Sequence, residues 1–177
     1  MVFTSPVRPW LVSPIILLVA MTVWGVLRYA HLPDQIPKHI GTSGVDAWTD
    51  RSIGSAFLLV FVYVGVTVLM VACAELTLRV TPRDELRSAA PFAGGPSSSL
   101  VNRPGSRASA RRAARAVLLL NTSIGVSLLV GCGILWRSAP DPDIPLWMFA
   151  GMLIPLLAGT AVTVVVAVKD RCRVEKQ

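Results

Sequence analysis

Four stretches of this chain contain no Asp, Glu, Lys, Arg or His: Trp10–Leu27 (18 residues), Ala56–Ala74 (19), Ala116–Trp136 (21) and Leu146–Val168 (23). At about 1.5 Å of rise per residue, each is long enough as an α-helix to cross a hydrocarbon layer of roughly 30 Å. A buried helix of a soluble domain is usually shorter and charged along one face, so four such runs in 177 residues make that reading remote. The predicted fold is an all-α integral membrane protein, its four transmembrane helices arranged as two hairpins. The first helix is expected to stay in place rather than be cleaved as a signal peptide, because Arg28 and Tyr29 break the small-residue pattern a cleavage site needs near Ala30.

Lys and Arg resist translocation and accumulate on the cytoplasmic side. With the N-terminus inside, cytoplasmic segments hold 13 of the 17 basic residues, eight of them arginines between Arg79 and Arg115. Both termini are therefore expected in the cytoplasm. Residues 1–9 form a short N-terminal segment, 10–76 a first helical hairpin with an outer motif at 31–51, 116–168 a second helical hairpin, and 169–177 a tail. Between them, 77–115 reads as a basic cytoplasmic loop whose middle, rich in Ser, Ala, Gly, Pro and Arg, buries too little to offset the entropy of ordering. Arg111, Arg112 and Arg115, directly before the third run, are placed to meet anionic lipid headgroups at about 1 kcal/mol each. Without interleaved aromatics they argue against a nucleic-acid partner. Trp10, Trp136 and Trp147 fall at membrane boundaries, where an amphipathic indole is favoured.

Within the runs, Gly151, Pro155, Gly159 and Thr163 recur every fourth residue, and Ser127 with Gly131 repeats the spacing on the third run. Such small-residue faces let backbones approach and predict helix packing, within the chain or between copies. Asn121, Thr122 and Ser123 predict interhelical hydrogen bonds. Proton relays, ion pathways and intramembrane hydrolases need ionisable groups at depth, and these runs have none. Cys73 and Cys132 should lie at different depths and read as packing residues rather than a disulfide.

The distinctive segment is HLPDQIPKHIGTSGVDAWTDR, His31 to Arg51. Pro33 and Pro37 fix their own φ and push Leu32 and Ile36 toward extended conformations, so the chain should leave the first helix stiff and non-helical. Ile36–Ile40 and Val45–Trp48 flank Gly41-Thr42-Ser43-Gly44 and predict a β-hairpin. That register sets His39 opposite Asp46 and Pro37 opposite Trp48, all four on one face, a charge pair beside an aromatic. This face is the candidate ligand-binding surface; a well-made structural cap is the other reading of the same residues. No metal centre is expected, since His31 and His39 match no common ligand spacing, and no nucleophile, base and orienting group are assembled for hydrolysis. No cofactor is expected either.

Leu32-Pro33-Asp34, Ile36-Pro37, His39, Gly44, Asp46 and Trp48, lying between two apolar runs, resemble the bacterial membrane domain of unknown function 1648 found in SdpI-like proteins. The resemblance covers roughly residues 10 to 76 and is densest from Leu32 to Trp48. It implies a multi-pass protein of the bacterial cytoplasmic membrane that gives immunity to a secreted peptide toxin and captures a cytoplasmic repressor. Two positions depart from the pattern: Val45 stands where a proline often precedes the aspartate, and Gly41 where asparagine is frequent. The second, Arg-Thr-Pro-containing domain of fuller immunity proteins has no counterpart. Two functions follow as expectations: a non-enzymatic sensor of, or immunity protein to, an extracellular peptide, acting through the outer loop, and alternatively an accessory subunit of a membrane complex such as a transporter, packed through the Gly151/Pro155/Gly159 face. A cytoplasmic regulator or a membrane partner subunit is the corresponding partner.

Overall fold

A computed structural model describes residues 6–41, 44–89, 103–137 and 143–174. After a single 3-10 turn at Arg8–Leu11, helix α1 runs Val12–Tyr29, strands β1 (Gln35–Gly41) and β2 (Gly44–Asp50) form an antiparallel pair, and a one-turn helix α2 (Ile53–Ala56) leads into α3 (Leu58–Arg79). A short helix α4 (Arg83–Ala89) follows, then the long helices α5 (Arg107–Leu135) and α6 (Leu146–Val174). Four of these helices are long and apolar enough to cross a membrane, as the charge-free runs predict, with the two-stranded sheet between the first two. A helix satisfies every backbone amide within itself, which hydrocarbon demands.

α5 is the centre of the bundle and packs against α1, α3 and α6. Its sequence explains the position: Asn121, Gly125, Ser127, Gly131 and Cys132 are buried, and small or hydrogen-bonding groups admit neighbours on several sides. Asn121 and Thr67 of α3 bond side chain to side chain at 3.3 Å, Thr122 and Ser13 of α1 at 2.8 Å, and Ser127 Oγ donates to the Met152 carbonyl of α6 at 2.6 Å. The interhelical hydrogen bonds expected of Asn121 and Thr122 are thus present, each to a different helix.

The small-residue face of α6 is used inside the chain. Gly159 is buried against Ser123 and Leu120, Gly151 faces Val130 of α5, and Thr163 Oγ1 donates to the Ala116 carbonyl at 3.4 Å. Gly151 and Gly159 are thus occupied by α5 within the chain. The outward surface instead carries Ile15, Val26, Leu69, Leu76, Ile154 and Leu157, more than half exposed, an apolar coat suited to lipid.

The structure adds two details to the sequence expectations. Trp136 caps the end of the third apolar helix and is buried within the protein: it is 1% exposed, its Nε1–H donates to the Ala56 carbonyl at 2.8 Å, and its ring meets Trp24 edge-on with centroids 5.4 Å apart. A buried indole needs a partner for its N–H, and here Ala56 provides the acceptor. The third apolar helix also begins at Arg107, well before the charge-free run, with Ser106 as its N-cap accepting from Ser109 N. Ala and Arg are strong helix formers, so RASARRAAR continues the helix beyond the apolar layer. Of the segment expected to lack structure, 90–102 lies outside the described residues, while Arg83–Ala89 is helical.

Opposite the β-hairpin, the ends of that loop are tied together. Arg107 grips Glu85 with two bonds, Nε–Oε1 2.7 Å and Nη2–Oε2 2.9 Å, while Arg83 N and Asp84 N donate to the carbonyls of Pro104 and Gly105. Asp170 of α6 accepts from Ser109 Oγ at 2.6 Å and from Arg112 at 2.8 Å. Arg112 therefore works as a partner of α6, a role the sequence assignment to headgroups did not foresee.

Candidate functional site

The β-hairpin grows out of α1 through one irregular turn. His31 N and Leu32 N donate back to the carbonyls of Arg28 and Tyr29, which ends the helix, and the Leu32 side chain folds into the core at 4% exposure. Pro33 is half-buried and Asp34 exposed before β1 starts at Gln35. Ile36 is fully buried beside Met21, Val60, Tyr63, Cys132 and Trp136, so the hairpin is seated on the bundle through Leu32 and Ile36.

The register at both ends is the expected one: Pro37 faces Trp48, and Gly41 faces Gly44. The connection Thr42-Ser43 lies outside the described residues. In the middle the expectation fails, because His39 faces Ala47 rather than Asp46. Lys38 is an extra residue on β1 and Asp46 an extra residue on β2, and the two irregularities cancel. Pro37 has no N–H to give to the ladder, and a bulge beside such a gap is a normal relief. The His39–Asp46 contact forms nonetheless, Nδ1 to Oδ1 at 2.6 Å, with the two side chains 68% and 51% exposed. Trp48 and Pro37 are half-buried. The four residues of the candidate face are thus gathered on the hairpin, with the hydrogen-bonded His39 and Asp46 in the open.

Arg51 holds the hairpin's base, a role not read from the sequence. Its backbone N donates to the Asp34 carbonyl at 2.7 Å, its guanidinium reaches the Leu32 carbonyl and the Asp34 carboxylate (3.4 Å), and its Cζ lies 5.9 Å from the Tyr29 ring centroid. One side chain so joins the end of α1 to the end of β2. Next, Ser52 and Ser55 form a capping box that opens α2, and Ser55 Oγ also donates to the Asp50 carbonyl. The Ser-x-x-Ser pattern ahead of an apolar run was the signal for this return. Arg51→Gln is expected to loosen the base by roughly 1–2 kcal/mol, the scale of hydrogen bonds to a charged group. The hairpin amides would exchange faster with deuterium while those of α5 keep their protection; unchanged hairpin exchange would count against the clamp.

Among the described residues no group of three His, Cys, Asp or Glu is placed to hold a metal ion, and His31 Nδ1 lies 3.3 Å from the Leu27 carbonyl. What the face offers is a hydrogen-bonded imidazole and carboxylate, a neighbouring exposed Lys38 and an indole, groups suited to recognition.

Residues 16–64 match the family model described as Domain of unknown function (DUF1648). The match covers less than a third of the chain. It runs from the second turn of α1, through the β-hairpin and the Arg51 clamp, to the second turn of α3, and so contains the whole candidate face. No curated protein and no solved structure matches the chain. Trp136, which packs with the matched segment through Trp24, Phe57 and the Ala56 carbonyl, lies outside it, as do α5 and α6. The matched segment therefore packs against a helix that the match does not include.

Proposed function

We propose that this chain is a non-enzymatic protein of the bacterial cytoplasmic membrane whose β-hairpin recognises an extracellular peptide, as a sensor of that peptide or as immunity to it. Both termini and the arginine-rich end lie in the cytoplasm in this reading, which the distribution of 13 of 17 basic residues supports. A cytoplasmic regulator that responds to the occupied hairpin is the further partner. The resemblance to SdpI-like proteins, stated above for Leu32 to Trp48, points the same way.

One observation carries the reading: the hairpin is anchored through buried Leu32 and Ile36 and clamped by Arg51, yet it leaves His39 and Asp46 exposed. A cap that served stability alone would gain little from an exposed pair, which is worth about 0–1 kcal/mol. The accessory-subunit reading has less support, because Gly151 and Gly159 already pack against α5 within the chain.

Alanine at His39, Asp46 and Trp48 tests the proposal. The triple variant is expected to insert and melt close to the parent, while a strain carrying it loses protection from, or response to, a panel of secreted envelope-active peptides. Protection equal to that of the parent would overturn it.

A further inference from the structure

The two strands of the β-hairpin differ in what their outer edges can accept. In an antiparallel pair, residues bonded across the ladder alternate with residues that turn N–H and C=O away from the partner strand. Arg51 N donates to the Asp34 carbonyl, which fixes the phase: Gln35 with Asp50 is the next pair in register and Pro37 with Trp48 lies two further on from Asp34 and Arg51, so both pairs turn their backbone groups outward. The Asp50 carbonyl agrees with that phase, since it accepts from Ser55 Oγ at 2.9 Å, on the side away from β1. On β1 the outward position belongs to Pro37, which has no N–H to give an added strand, and α2 also packs against this strand. On β2 it belongs to Trp48, which keeps both an N–H and a C=O for a neighbour.

β2 is also an acidic strand. It carries Asp46 and Asp50, both exposed, and no Lys or Arg, while Arg51 beyond it is turned to Leu32, Asp34 and Tyr29. The basic groups of the hairpin, Lys38 and the His39 that bonds Asp46, stand on β1. A second copy of the chain, paired β2 to β2 about Trp48, would bring Asp46 of one copy beside Asp50 of the other, and like charges opposed on neighbouring strands destabilise a pair. A basic segment meets attraction at the same edge, and a third strand gives a two-stranded sheet the support it lacks alone. We propose, on the basis of the peptide recognition above, that the peptide is cationic and binds in extended form, adding as a third strand to the β2 edge at Trp48.

The full chain in uncharged maltoside micelles would be titrated with a dye-labelled, end-capped heptapeptide of alternating lysine and threonine, and with its glutamate and threonine counterpart, binding being read by fluorescence anisotropy. The lysine probe is expected to bind the parent about tenfold more tightly than the glutamate probe. Trp48→Ala and Trp48→Pro both lack the indole, but only proline deletes the outward N–H, so proline is expected to weaken the lysine probe about tenfold beyond alanine, the scale of one backbone bond. Should Trp48→Pro fail to fold, the probe itself asks the same question: of two versions N-methylated on alternate amides in opposite phase, one is expected to lose about tenfold and the other to bind like the unmethylated probe. Equal binding of the lysine and glutamate probes, equal effects of alanine and proline in folded protein, or equal binding of the two methylated versions would overturn strand addition. A dimer in native mass spectrometry that Trp48→Pro disperses would overturn it in favour of a second copy. Protection lost in the His39/Asp46/Trp48 alanine variant would in those cases leave peptide recognition standing without the added strand, whereas protection retained there removes recognition itself.

Discussion

Trp136→Ala is expected to destabilise the hairpin end of the bundle by about 3–5 kcal/mol, the range for emptying a buried aromatic site. Trp136 is 1% exposed, packs edge-on against Trp24 and tilted against Phe57, and its indole N–H is bonded to the Ala56 carbonyl. Gly25 shows how tight the fit is, since a Cβ there would lie 2.7 Å from Phe57 and from Trp136. The cavity would open in the core cluster that also holds Ile36 and Leu32, the two residues that seat the β-hairpin. The loss should therefore appear both as a lower denaturation midpoint in micelles and as faster hydrogen exchange in β1 and β2. Trp136→Phe keeps one ring but removes the donor and part of the indole volume, so it is expected to cost about 2 kcal/mol, less than alanine. Were alanine and phenylalanine to cost the same, packing would not be the main contribution of this side chain.

The second large effect is predicted at Gly159. A Cβ built there would lie 2.6 Å from Ser123 Cβ, and backbones that close cannot absorb a side chain without separating. α6 contacts the bundle chiefly through α5, so Gly159→Leu is expected to detach it at a cost of about 3 kcal/mol or more. Gly65 on α3 is the control: a Cβ there meets nothing within 4 Å, and Gly65→Leu is expected to be neutral or slightly stabilising. Protease accessibility of α6 in micelles, compared between the two variants, checks both. Equal behaviour at 65 and 159 would contradict the packing described.

The spans were legible because a bilayer imposes a single crude demand, an uninterrupted apolar length, and four runs meet it. The ends of the β-hairpin were legible from Gly41 and Gly44, but its middle was not. The ladder gap at Pro37 is resolved by bulges at Lys38 and Asp46 whose positions depend on the seating of Ile36 beneath them. Periodicity showed that Gly151 and Gly159 pack, without showing against what. The burial of Trp136 was not legible for a physical reason: an indole near a helix end suits lipid headgroups and a buried pocket alike, and only the distant Ala56 carbonyl shows that its N–H is bonded within the protein. Arg51 was equally invisible, since its partners Tyr29, Leu32 and Asp34 lie about twenty residues upstream.

The central place of α5 has a consequence for biogenesis. A ribosome delivers α1, the β-hairpin and α3 first, yet Ser13 and Thr67 find their partners Thr122 and Asn121, and Ile36 its neighbour Trp136, only when the third span enters. Until then the first two spans lack these interhelical bonds, and the hairpin rests on Met21, Val60 and Tyr63 without Cys132 and Trp136. The core under the β-hairpin is thus completed late, by the last turn of a helix synthesised some ninety residues after it, and a nascent chain halted before α5 would display the hairpin on an unfinished core.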